Sequence, residues 1–180
     1  MKQLLLSLLL AALLVPGVVA AQEEGAAAPV TIGVLAKRGP EAARELWQPT
    51  VDYLDSRFPD RAVHLEPLGF DDLWDVVERG QVDFVITNPY LYVEFEQRFG
   101  ATRLLTVEHD WGETRLSRFG GVLFTREDTD IRELEDLRGA RVMAVDRKSL
   151  GGWLMVRRLL EEHGIKPRDF ASLDWTGNHD

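Results

Sequence analysis

The stretch from Gly80 to Gly100, GQVDFVITNPYLYVEFEQRFG, constrains the fold more than any other part of the chain. Val82, Phe84, Val85 and Ile86 form a short, nearly continuous apolar run bounded by Gly80 and Asn88, as expected of a central strand buried on both faces of a parallel sheet. Pro89 suits the first turn of a helix, where its missing N–H is not needed, and Leu91, Phe95 and Phe99 recur at helical spacing. A strand that runs straight into a covering helix is the building unit of an open α/β sheet. Such sheets hold ligands beyond the C-terminal ends of their strands, which is where Asn88, Tyr90 and Tyr92 fall. Asn88 serves equally well as the helix cap, and the tyrosines equally well as packing residues.

The rest of the chain repeats this unit. VTIGVL, residues 30–35, predicts a strand, with Ala36-Lys37-Arg38-Gly39-Pro40 turning at its C-terminal end. Residues 41–58 predict a helix with Ala43, Leu46, Trp47, Val51 and Leu54 near one face and a kink or restart at Pro49. Residues 62–68 alternate as a strand nearer the sheet edge, and 70–79 predict a short helix with Phe70, Leu73, Trp74 and Val77 inward, stopped by Gly80. A fourth strand is predicted over 103–107, which completes a β-α-β-α-β-α-β pattern. Residues 108–118 are polar and predict a loop, whereas FGGVLFT, 119–125, predicts a strand crossing to a second unit. That unit is expected to hold a short helix over 130–137, strands over 141–145 and 170–175, and a helix over 151–163. The fold class is therefore α/β with two lobes around a cleft: a first lobe over 30–118, then a crossing strand and second lobe over 119–180.

Residues 1–21 read as a secretory signal, with Lys2, an apolar run from Leu4 to Val15, a Pro16-Gly17 break and a small-residue cleavage region; 22–29 read as a flexible leader. Export of the remainder implies a periplasmic domain. Its loss of one lysine turns 21 basic and 30 acidic residues into a net charge of −10, which argues against nucleic acid as a partner. A cleft can still take a small anion through a few N–H groups and local cations. With no cysteine there is neither a disulfide nor a lipid-attachment thiol, and no two of His64, His109, His163 and His179 have metal-ligand spacing, so no metal or cofactor is expected.

A second candidate site lies in AVDRKSLGGW, residues 144–153. Ser149 can cap the following helix, Gly151 and Gly152 allow close approach to its N-terminus, and Lys148 can add charge. A plain capped helix start explains the same residues. Lys37 and Arg38 stand where a strand-end loop contributes positive charge to a cleft, or else are two solvated loop cations. No nucleophile elbow or serine–histidine motif is present, so no catalytic residue is assigned.

IGVLAKRGPEAARELWQPTVDYL, GQVDFVITNPYLYV, RELEDLRGARVMAVDRKSLGGW and the closing DWTGNHD, in this order and spacing, resemble the PhnD-like phosphate, phosphite and phosphonate periplasmic substrate-binding proteins of the type 2 periplasmic-binding fold. The resemblance runs from about Val30 to Asp180. It implies a hinge-closing binder of a small solute, with ligand groups on Ala36 to Arg38, on Tyr90 and Tyr92, on Ser149 with Leu150 and Gly151, and on Asn178, His179 and Asp180. Leu150 and Gly151 stand where phosphonate binders place hydroxyls, so two hydrogen bonds to a phosphonate oxygen are absent. SLGGW and FGGVLFTR instead look like the sensory domains of two-component histidine kinases, including tetrathionate-type sensors.

The resemblance thus implies a binder of a small oxyanion whose partner is an ABC-type membrane transporter or a membrane-attached kinase module. The alternative is a secreted small-molecule enzyme on the same fold, for which His179 is the one candidate acid or base. The family continues beyond the His-Asp pair, so the second lobe is expected to be unfinished at Asp180, leaving apolar edges exposed.

Overall fold

The computed structural model describes residues 27–180. The expected signal segment, 1–21, and most of the leader lie outside the described residues. The first lobe is a three-stranded parallel sheet in the order β2-β1-β3, built from β1 (Val30–Leu35), β2 (Val63–Leu68) and β3 (Phe84–Ile86). Val30 pairs with Val63 and Leu35 with Leu68 on one side, and Ile32 pairs with Phe84 on the other.

The central strand is therefore β1, and β3 lies at the edge with Phe84 46% exposed, which corrects the expectation of a doubly buried β3. The apolar run 82–86 does not by itself distinguish the two positions. The difference is set by which strand gains neighbours on both sides.

Helix α1 (Pro40–Arg57) covers one face, packing Val51 into a cluster with Ile32 and Val63. It runs unbroken through Pro49, and Leu46 points to solvent instead of the core. Helices α2 (Phe70–Glu78) and α3 (Pro89–Phe99) cover the other face through Phe70, Leu73, Leu91 and Phe95, which cluster with Leu35. Gly33 matters here: a Cβ at that position would lie 3.3 Å from Leu73 Cδ1 and 3.2 Å from Val82 Cγ1, so its absence lets α2 approach the sheet. The Trp74 ring completes this layer against Phe95 and Phe99, with centroids 5.6 and 5.7 Å away.

Neither 103–107 nor 119–125 forms a strand. Leu104, Leu105, Val122 and Phe124 are largely exposed, and among the described residues no strand pairs with either segment. Between them, the expected loop holds an antiparallel hairpin of β4 (His109–Trp111) and β5 (Thr114–Leu116). Its two-residue turn begins with Gly112 at φ 61°, a conformation that favours glycine and matches the twist of a hairpin.

The second lobe pairs β6 (Arg141–Ala144) in parallel with β7 (Ser172–Trp175). A π-type turn over Leu150–Leu154 leads into α4 (Met155–Glu162), and Trp153 of the turn packs with Val156 and Leu160 of the helix onto Val142 and Ala144. The expected helix over 130–137 is reduced to a 3₁₀ turn at Leu134–Leu137, whose Leu137 enters the same core.

Candidate functional site

The loops that leave the C-terminal ends of β1, β3, β6 and β7 meet at the junction of the two lobes. Asn88 occupies the N-cap of α3: its Oδ1 accepts from Leu91 N–H at 3.0 Å, while its Nδ2 donates to the Lys148 carbonyl at 3.2 Å. The same side chain therefore ends one lobe's strand and ties down the other lobe's loop. Val145, at the end of β6, also packs into the first-lobe cluster around Leu35 and Phe70.

Ser149 is 2% exposed, the one buried polar or charged residue among the described residues. Its Oγ accepts from Gly152 N–H at 3.1 Å and lies 3.3 Å from His179 Nε2. The Ser149 carbonyl takes the N–H groups of both Trp153 and Leu154, which widens the first turn. The N–H groups of Leu150 and Gly151 are left without an acceptor among the described residues. Free N–H groups at the positive end of a helix favour an anion.

His179 arrives from the segment after β7. Its N–H donates to the Lys37 carbonyl at 2.8 Å, so the β7 segment of the second lobe is fastened to the β1 loop of the first. Burial pushes the imidazole below its ordinary pKa, and the neighbouring Lys37 and Arg38 cations add to this, with Asp180 acting in the opposite sense. Arg38 faces Asp180 at 3.5 Å, but both side chains are more than half exposed, so the pair contributes little to stability.

Of the predicted site residues, the structure brings Asn88, Ser149, His179, Lys37 and Arg38 to this junction. Tyr90 instead packs against the cluster of Leu35, Leu73 and Leu91. Tyr92 turns its hydroxyl along α3 to donate to Glu96, a hydrogen bond that raises its pKa. Gly151 backs onto the crossing segment: a Cβ there would lie 3.1 Å from Phe119 Cε2, and one on Gly121 would lie 2.7 Å from the Gly151 carbonyl oxygen. Gly121 thus makes room for the Gly151 backbone, whereas Gly152 makes room for Val145 and the Ser149 hydroxyl. A side chain at 151 would require the half-exposed Phe119 ring to give way by a few tenths of an ångström.

Asp71, Trp74 and Thr87, outside the predicted set, also lie here, together with Lys148 of the second candidate site. Lys148 extends its ammonium to Asp71 Oδ1 at 2.6 Å, beside the Trp74 ring at 5.3 Å. Trp74 reads in the sequence as a core aromatic, and Asp71 stands in the first turn of α2, where a carboxylate favours the helix start. Their position just after the end of β2 was the available sign that they could reach the same cleft. Thr87, just before the Asn88 cap, buries its Oγ1 with no partner among the described residues.

A two-lobed α/β domain with polar strand-end loops converging at the lobe junction is the architecture of a solute-binding domain. Residues 32–180 match the sequence family described as ABC transporter, phosphonate, periplasmic substrate-binding protein, and the chain belongs to that family. The tetrathionate sensor histidine kinase TtrS of Salmonella typhimurium strain LT2 is 34% identical over 147 residues, covering 81% of this chain and 25% of the kinase. Among solved structures, PhnD1 from Prochlorococcus marinus (MIT 9301) in complex with methylphosphonate shares the fold at a TM-score of 0.61 with 13% identity, covering 83% of this chain and 56% of that one. This chain thus spans a quarter of the kinase and just over half of PhnD1.

Proposed function

We propose that this domain captures a small oxyanion, of the sulfur-oxyanion class, at the junction of its lobes and acts as the sensory input of a histidine kinase. The observation that carries the reading is the Ser149–His179 pair at 3.3 Å beside the Lys37 carbonyl, which places a hydroxyl, an imidazole and free helix N–H groups together next to two loop cations. Such donors compensate the charge of an oxyanion that has lost its water shell. The likeness to a tetrathionate sensor kinase favours a sulfur oxyanion, and Leu150 and Gly151 offer a phosphonate no side-chain hydroxyl. We also infer that residues 1–21 direct the domain out of the cytoplasm.

The test is thermal unfolding against tetrathionate, thiosulfate, sulfate, phosphate, phosphite and methylphosphonate. A ligand at 100 times its dissociation constant stabilises the native state by about 2.7 kcal/mol, a rise of several degrees. The expected result is a shift with a sulfur oxyanion that is lost in Ser149→Ala and His179→Ala. A shift with methylphosphonate alone would replace the sulfur reading by a phosphonate one, and no shift with any anion would overturn the oxyanion reading.

A second output, delivery to an ABC-type transporter, is favoured by the family description. The two outputs separate in the intact protein. Ligand-dependent autophosphorylation marks a sensor, and ligand-dependent uptake marks a transporter receptor.

A further inference from the structure

We propose that Asp71, Trp74 and Lys148 form a cross-lobe latch that sets the 146–149 loop, and with it Ser149, for binding; the binding half of this inference rests on the oxyanion reading above. The Lys148 ammonium lies 2.6 Å from Asp71 Oδ1 and 5.3 Å from the centre of the Trp74 ring, and both partners belong to α2 of the first lobe. Lys148 itself belongs to the second lobe's loop, one residue before Ser149. Its main chain is held as firmly as its side chain: the N–H donates to Asp146 Oδ1 at 2.7 Å, and the carbonyl accepts from Asn88 Nδ2 at 3.2 Å. The loop is thus tied to α2 through the side chain and to the α3 cap through the backbone, with Ser149 N–H closing the turn on the Asp146 carbonyl at 3.0 Å.

The latch borders a cavity of ≈ 330 Å³ lined by Asp71, Asp146, Arg147, Lys148 and Trp175, so solvent and salt reach one side of it. The side-chain exposures are unequal, 29% for Lys148 and 88% for Asp71. The aspartate's contribution is accordingly modest, while the indole face shields the ammonium and adds a cation–π attraction. In this arrangement Lys148 spends its charge on joining the lobes instead of on a bound anion. Opening the lobes would have to break all three contacts together, since the two sides belong to different lobes.

The experiment compares wild type, Asp71→Asn, Lys148→Met and the double variant, each as the full chain. Without any ligand, amide hydrogen exchange over residues 148–152 reads the loop, and the urea midpoint reads global stability. Dissociation constants for tetrathionate, at low and at 0.5 M salt, read the site. The expected result is faster exchange confined to 148–152 in each single variant, an unchanged urea midpoint, and about a two- to fivefold weaker affinity at low salt. The double variant should resemble either single one, the mark of two residues acting as a unit. Exchange at 148–152 equal to wild type in both single variants would overturn the latch. If tetrathionate binds none of the proteins, wild type included, tetrathionate is excluded as the ligand of the proposed site while the exchange result still decides the latch.

Discussion

His179 is joined to the first lobe by its backbone and to the second by its ring, so its charge state concerns both. Its pKa is lowered by burial, with Lys37 and Arg38 reinforcing the shift and Asp180 opposing it. The unfolded chain therefore takes up a proton at higher pH than the folded one. The group costs nothing above its unfolded value near 6.5; as pH falls from there through the folded pKa, stability is lost. An anion beside Ser149 reverses the local balance by favouring the imidazolium. We expect oxyanion affinity to increase as pH is lowered from 7.5 through 6 and the dependence to vanish in His179→Gln, as read by calorimetric titration at each pH; a pH-independent affinity in wild type would place the anion away from His179. Ser149 and His179 stand out in the sequence as candidate site residues, through the capped helix start and the family resemblance. Their 3.3 Å contact does not, because 30 residues of chain separate them and only the parallel pairing of β6 with β7 brings the two loop ends together.

At the scale of elements, the helices were more legible than the strands. Helices α1, α2 and α3 follow their apolar spacing to within a residue or two, because a helix satisfies its backbone internally and needs only one apolar stripe to dock. Strands need a partner. The apolar runs at 103–107 and 119–125 carry strand-like side chains, yet no neighbouring strand takes up their backbone groups among the described residues. The polar His109–Leu116 region forms a hairpin because Gly112 supplies the turn, a local signal present in the sequence without the alternation that usually accompanies it. Leu73 tests the packing of α2 on the sheet. It is fully buried against the gap left by Gly33, and Leu73→Ala should lower the unfolding free energy by roughly 2–5 kcal/mol with an unchanged denaturant slope. A loss below about 1 kcal/mol would show that the layer collapses to refill the site, which the close-packed Trp74, Phe95 and Phe99 rings make hard.

At the scale of the whole molecule, the surface carries more exposed apolar residues than a solvated domain tolerates easily. Leu104, Leu105, Val122 and Phe124 are 69–89% exposed, Met143 on β6 is 71% exposed, and Phe84 projects from the edge strand. Exposed apolar side chains and an unpaired sheet edge favour self-association. We expect residues 27–180 alone to bind the dye ANS and to elute as concentration-dependent oligomers in size-exclusion chromatography. Early proteolytic cleavage should fall within 101–126. A monomer that excludes the dye would show that these segments fold back in solution. The same segments bear on the site, since Phe119 and the glycines after it form the backing against which Gly151 is set.

The amino-acid order determined the α/β class, the helices, the two-lobed plan and the loops that carry polar groups, because these follow from apolar period, glycine and proline placement and short-range capping. Tertiary structure alone decided that β1 and not β3 is central, that Tyr90 and Tyr92 turn to their own lobe, that Gly151 faces the crossing segment, and that Lys148 crosses to Asp71 and Trp74. Each of these depends on which distant segment occupies the neighbouring space, and the local pattern of a chain carries no record of that.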